Sequence, residues 1–282
     1  MPFVEYNYRK IFYRTAGKGK PVLLLHGFAE NGEIWNEQIK SLQNKYFLII
    51  PDLPGSGSSE GLEGKASLED YAEIIKVIYD EVILKNSKQF CMIGHSMGGY
   101  ITLAFAQKYG SLLNSFGLFH SSAFADDDDK ITTRKKGIEF IQKNGSLPFL
   151  KASIPNLFSE KTKNEKPEFI SKLFDLGKNI TPSVLIQYYE AMIARPDRVS
   201  VLENFTKPVL FIIGKNDNAV PLETSLRQCS VPSISIIHIL QIRGIWECGK
   251  KGNYAILTWK ISLIVTKNLP FSIVSFISKL KR

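Results

Sequence analysis

Short apolar runs, each ending at a glycine or a turn, punctuate this chain. Pro21 to His26 runs into Gly27, Tyr46 to Ile50 into Pro51-Asp52-Leu53-Pro54-Gly55, and Phe90 to Ile93 into Gly94. Phe116 to His120 and Pro208 to Ile213 follow the same rule, and Ser233 to Leu240 reads as a last strand. Such short continuous runs predict strands buried on both faces, as in parallel sheet. Phe3 to Arg14 alternates instead and predicts an edge hairpin. Ser67, with Asp70 three residues on, predicts a capped helix running through Val82. Strands alternating with helices make this an α/β chain with a mostly parallel central sheet flanked by helices.

Between about Ala125 and Val201 the pattern becomes helical and charged, with aromatics at wide intervals (Phe140, Phe149, Phe158, Phe169, Phe174, Tyr188, Tyr189). These helices either pack on the main domain or form a cap lining an apolar pocket, and both can hold at once. The expected division is a core of residues 1–124 and 201–241, a helical cap insertion at 125–200, and an atypical basic tail at 242–282.

Composition narrows the class. Apolar residues make up 44% of the 282 positions, as in a globular protein. Cys91, Cys229 and Cys248 are too few and too scattered for a disulfide framework or a zinc site. The start MPFVEYNYRK lacks a signal-like pattern, and no apolar run reaches the length of a membrane span, so a cytoplasmic protein is expected. Residues 242–282 hold eight Lys/Arg against one acid, Glu247, and carry +7 of the net +9. The nearly neutral body points to neither nucleic acid nor membrane as a partner.

The chemistry concentrates at Gly94-His95-Ser96-Met97-Gly98-Gly99, set between an apolar strand and a helix-like run. That order forces a serine onto a sharp turn with its hydroxyl exposed, so Ser96 is the candidate nucleophile. A serine hydroxyl needs a base, a group orienting the base, and donors for the oxyanion. The backbone N–H groups of Met97 and Phe28 are the candidate oxyanion donors. Asp217, just past the strand ending at Gly214, is the candidate acid; a turn aspartate bonding its own backbone is the plainer alternative. His26 reads as a brace for its loop. No metal and no organic cofactor is expected.

Taken together, these motifs resemble those of the α/β-hydrolase superfamily. His26-Gly27-Phe28 resembles its oxyanion loop, Asp52 to Ser59 its D-x-x-G-x-G-x-S segment, Gly94 to Gly98 its nucleophile elbow, and Gly214 to Pro221 its acid-bearing turn. Gly55-Ser-Gly57 has no following Gly-Lys-Ser/Thr and reads as a turn of this family, not a phosphate loop. The resemblance implies the α/β-hydrolase fold and serine chemistry in the order Ser, Asp, His.

That order calls for a histidine after the last strand, where the family writes Gly-His. His238 is the histidine beyond Asp217 and so the candidate base, yet it stands inside the predicted strand, where its ring should not reach Ser96. His95 points elsewhere on the turn, and His120 either lines the pocket or braces it. The residues after Gln241 suggest a reason for the loss. From Gln241 they can be written CAA ATT CGG GGC ATA TGG GAA TGT GGG AAA. Restoring one A after CAA gives Gln-Asn-Ser-Gly-His-Met-Gly-Met-Trp-Glu, with the histidine at the place of Ile245. Two readings stand: translation out of frame from Ile242, or a divergent end whose tryptophans and apolar stretches form an amphipathic surface segment.

The expected function is serine hydrolysis of an ester or similar small acyl substrate through an acyl-enzyme, impaired by loss of the triad histidine. Such a loss costs ~10⁶ in kcat, roughly 8 kcal/mol of barrier. The alternatives are carbon–carbon bond hydrolysis and a non-catalytic small-ligand receptor on the same fold.

Overall fold

The computed structural model describes residues 2–240 apart from 159, 216 and 218. The tail expectation and its reading frame lie outside the described residues. Eight strands form one sheet: β1 (Phe3–Tyr6), β2 (Arg9–Ala16), β3 (Lys20–Leu25), β4 (Tyr46–Pro51), β5 (Phe90–His95), β6 (Leu113–Phe119), β7 (Val209–Gly214) and β8 (Ser235–Leu240). Their order is β1-β2-β4-β3-β5-β6-β7-β8. β1 and β2 form the hairpin at one end, turning at Asn7 and Tyr8, both with positive φ as a two-residue hairpin turn requires. β2 is antiparallel to β4, and every later pairing is parallel. This is the α/β-hydrolase fold.

The apolar runs divide their side chains between two layers, as the pleat demands. The chain forms α1 (Asn36–Leu42) between β3 and β4; Leu23, Leu25, Ile49, Met92, Phe116 and Phe211 face one core, covered by α2 (Leu68–Ile78) and α3 (Met97–Tyr109). Val22, Leu24, Ile50, Cys91, Ile93 and Ile212 face the other, where Ile34 and Trp35 pack. Removing a leucine side chain from water contributes roughly 1.5–3 kcal/mol, so central strands with both faces covered anchor the domain. α2 starts with the predicted capping box of Ser67 and Asp70; its α-helical part stops at Ile78 and continues as a π-turn over Tyr79–Ile83.

Between β6 and β7 the chain is helical: α4 (Asp128–Asn144), α5 (Ser146–Ser153), α6 (Glu160–Glu165), α7 (Pro167–Gly177), α8 (Pro182–Ala194) and α9 (Val199–Asn204). α8 is fastened to the sheet's loops. Tyr188 donates to the carbonyl of Pro54 (2.6 Å), and Gln187 donates to that of Gly64 (2.6 Å) while accepting from Tyr71 (3.0 Å). The parallel strands all end on the side where these helices lie, which leaves a cleft between strand ends and helices.

Candidate active site

Ser96 sits between β5 and α3 at φ 50°, ψ −116°. That backbone costs about 1–3 kcal/mol in a residue with a Cβ and persists only where its surroundings enforce it. They do so closely. A Cβ on Gly94 would stand 2.1 Å from the carbonyl oxygen of Gly98, and one on Gly98 2.5 Å from that of His26. The N–H of Ser96 donates to the carbonyl of Phe119 (2.9 Å), and the hydroxyl of Ser121 donates to the carbonyl of Ser96 (2.8 Å). The Ser96 side chain makes no capping bond to α3, so its hydroxyl is left for other work.

β3 and β5 are neighbours, with Leu25 opposite Gly94, so the loop after β3 lies beside the serine turn. A Cβ on Gly27 would stand 3.0 Å from that of Ser96. His26 braces this loop as expected: its Nδ1 donates to the carbonyl of Gly27 (2.9 Å), and its Nε2 accepts from the N–H of Leu53 (2.8 Å). Desolvation pushes its pKa down, against the pull of Asp52, the Gly27 carbonyl and Glu30. Asp52 accepts from the N–H groups of Gly32 (2.8 Å) and Ser58 (2.9 Å), so the Asp52 to Ser59 segment is a structural turn. Phe28 is gripped by the helices: its ring stacks on Tyr189 (4.5 Å between centroids) and meets Phe149 edge-on (6.3 Å).

Asp217 uses its two oxygens differently. Oδ1 accepts from the N–H groups of Ala219 (2.8 Å) and Val220 (3.0 Å), which is the turn role, while Oδ2 lies 2.7 Å from Nδ1 of His120. His120 stands directly after β6 at φ 48°, and its Nε2 is buried without a hydrogen-bond partner among the described residues. A second carboxylate–imidazole pair lies near it: Glu30 Oε2 and His95 Nδ1 are 3.0 Å apart, and the same oxygen accepts from the N–H of Gly27 (2.7 Å).

A cavity of about 220 Å³ joins these groups. Ser96, His95, His120, Glu30 and Asp217 line its floor, and Phe158, Leu173, Tyr189 and Met192 its helical side. Arg134 completes the wall. Its Nε donates to Asp126 (2.6 Å), and its guanidinium lies over Tyr189 (5.6 Å). Arg195 pairs with the other oxygen of Asp126 at 2.9 Å, so two cations share one buried carboxylate. Burial pushes the Asp126 carboxyl up, but the two arginines outweigh it and hold the group below its usual range. Burial also pushes the thiols of Cys91 and Cys229 up to about 12, which leaves neither as a competing nucleophile. No group of three His, Cys, Asp or Glu side chains among the described residues is placed to hold a metal.

Among the sequence candidates, Ser96, Asp217 and Phe28 line one cavity, and Met97, buried, opens α3 directly after the serine. His238 lies in β8 opposite Ile212, and its side chain is not part of the cavity wall. Glu30 and Arg134 carry no site signal in the sequence, and His120 stands there between pocket lining and bracing. A signal for His120 was present: it ends a strand, on the side of the sheet where this architecture gathers its chemistry.

A family profile described as alpha/beta hydrolase fold matches residues 20–136. The chain spans 35% of the length of several curated relatives it matches. Others match more fully. A pimeloyl-[acyl-carrier protein] methyl ester esterase of Vibrio vulnificus is 26% identical over 236 residues, covering 76% of this chain and 83% of the relative. A 2-hydroxy-6-oxononadienedioate/2-hydroxy-6-oxononatrienedioate hydrolase of Pseudomonas putida is 27% identical over 268 residues, covering 84% and 85%. A thermophilic esterase from Thermogutta terrifontis, solved with malate bound, superposes with a TM-score of 0.83 at 26% identity, covering 91% of this chain and 94% of that one.

Proposed function

We propose that this chain, which belongs to the α/β-hydrolase superfamily, hydrolyses a small ester or similar acyl substrate through a covalent acyl intermediate on Ser96. The observation that carries this reading is the strained turn of Ser96, held at φ 50° with its side chain unused by the helix cap and on the wall of the cavity that Asp217 shares. The serine oxygen attacks the acyl carbon while the N–H groups of Phe28 and Met97 steady the negative oxygen that develops. The leaving alkoxide departs with a proton, and water then attacks the acyl-serine to release the acid and regenerate the hydroxyl. Helices α4 to α8 act as a cap, their aromatic side chains giving the acyl chain an apolar wall.

Arg134 narrows the substrate class. Arg134 and Arg195 share the Asp126 carboxylate, and Arg134 stands on the pocket wall. An acyl group carrying a carboxylate of its own suits that wall, and a relative whose named substrates are dioates supports the choice. The same relative's name also supports carbon–carbon bond hydrolysis as the alternative reaction on the same site.

No histidine follows His238 in the sequence, so the loop histidine of the family pattern is missing and turnover is expected to be slow. The test is hydrolysis of p-nitrophenyl esters of short acids. Slow turnover lost in Ser96→Ala supports the reading. Turnover that survives Ser96→Ala overturns it, and a chain that binds these esters without any cleavage points to a receptor.

A further inference from the structure

The 282-residue sequence contains four histidines, His26, His95, His120 and His238. A serine nucleophile of the kind proposed above needs one of them as its base. His26 has both ring nitrogens engaged in the core. His238 stands in β8, away from the cavity wall. His95 and His120 both line the cavity, each with a carboxylate on Nδ1.

Their surroundings separate these two. Glu30 divides one oxygen between His95 and the N–H of Gly27, which ties His95 to the loop after β3. His95 also directly precedes Ser96 in the chain, and successive side chains at a strand end diverge. His120 has neither constraint. Its Nδ1 proton points at Asp217, which fixes the tautomer and leaves the lone pair on Nε2. That nitrogen is buried and, among the described residues, unpartnered, on a side chain 4% exposed. The residues on either side of His120 hold the serine: the Phe119 carbonyl accepts from its N–H, and the Ser121 hydroxyl donates to its carbonyl. A histidine kept at φ 48° is a strained residue whose position the surrounding contacts impose.

We infer that His120 is the general base of Ser96 in this chain, oriented by Asp217, an assignment that rests on the serine-hydrolase reading. Nε2 takes the Ser96 proton as the bond from oxygen to the acyl carbon forms. The imidazolium gives that proton to the leaving alkoxide as the ester bond breaks. Water attacks the acyl-serine, its proton passes to Nε2, and the same proton returns to Ser96 Oγ as the acid departs. Protons and electron pairs balance, and no co-reactant other than water is needed.

The probe is a fluorophosphonate, which a serine oxygen attacks at phosphorus with loss of fluoride. Labelling mapped to Ser96, with a rate that rises with pH and then levels off, is the expected result. His120→Gln lowers that rate about 100-fold or more and removes the plateau, and added imidazole restores part of the rate in His120→Ala, an effect a structural role does not give. Far-ultraviolet circular dichroism checks that both variants fold; where they do not, a wild-type rate that climbs with pH without a plateau overturns the assignment. Labelling at Ser96 unchanged in His120→Gln, or lost instead in His95→Gln or His238→Ala, overturns it while leaving the serine reading intact. No labelling of Ser96 at any pH overturns both.

Discussion

Nδ1 of His120 and Oδ2 of Asp217 lie 2.7 Å apart although 97 residues separate them in the chain. The sheet brings them together: β6 and β7 are parallel neighbours in register, with Phe119 opposite Ile212, so residues just past the two strand ends meet. Both side chains are buried, 4% and 8% exposed, which keeps water from weakening the pair.

Replacing Asp217 by Asn therefore tests the pair with little change in shape. Asn keeps an oxygen for the N–H groups of Ala219 and Val220, so the turn survives. Its amide then faces His120 with a donor, which drives the imidazole toward the tautomer protonated on Nε2 and removes the lone pair. The expected result is a fall of roughly 10²–10⁴ in the rate of Ser96 labelling, with the thermal midpoint lowered only slightly. An unchanged rate would separate Asp217 from the chemistry.

Most of the fold was legible because its signals are local. The apolar runs, the Ser67–Asp70 box and the glycines around Ser96 each act within a few residues, and each stands in the structure where the pattern put it. The site was legible only in part. Ser96 is announced by its own turn, whereas the partner of Asp217 is settled by strand order and register. Glu30 and Arg134 gave no local signal, since one is defined by His95 and the other by Asp126 and Tyr189, all distant from it in sequence or in another element.

The glycines of the serine turn should be intolerant in proportion to what a Cβ would meet. On Gly94 it would stand 2.1 Å from a backbone oxygen that cannot move without breaking the start of α3. Gly94→Ala is expected to cost more than about 3 kcal/mol or to prevent folding. Gly110 has helical φ, and its nearest neighbour is the Phe205 ring at 3.9 Å, so Gly110→Ala should change stability by less than about 1 kcal/mol. Urea unfolding of the two variants makes the comparison; similar midpoints would remove the steric account of the turn.

His26 gives the fold a pH dependence of known sign. Buried and neutral, it has a pKa pushed below the ordinary value by desolvation. In the unfolded chain it titrates near ~6.5. Below that pH the unfolded state gains a proton the folded state resists, so its contribution is complete above about 6.5 and declines as pH falls toward the folded value. The urea midpoint should drop between about pH 7.5 and 5.5. His26→Asn, less stable at the upper pH through its weakened bond to Leu53, should show a shallower slope over the same interval. An equal slope in both proteins would assign the acid sensitivity to other groups.

Arg134 should set the charge preference of the pocket. With Met in its place, KM for a p-nitrophenyl ester whose acyl chain ends in a carboxylate should rise about tenfold or more, and KM for the neutral ester of equal length should change little. Equal changes for both esters would mean that Arg134 shapes the wall without reading charge.

Leu240 pairs with Gly214, and its carbonyl accepts from the N–H of Lys215, so the chain leaves the last strand beside the turn that carries Asp217. If the residues from Ile242 are translated out of frame, inserting one A after codon 241 puts a histidine at the place of Ile245. That histidine then competes with His120 for Asp217 and becomes the stronger base. Ester turnover in the restored chain should rise by several orders of magnitude, as expected when a missing triad base is supplied. His120→Gln, damaging in the present chain, should cost the restored enzyme far less. Turnover that stays at the level of the present chain would mean that residues 242–282 are read in the protein's own frame and that His120 is the base it uses.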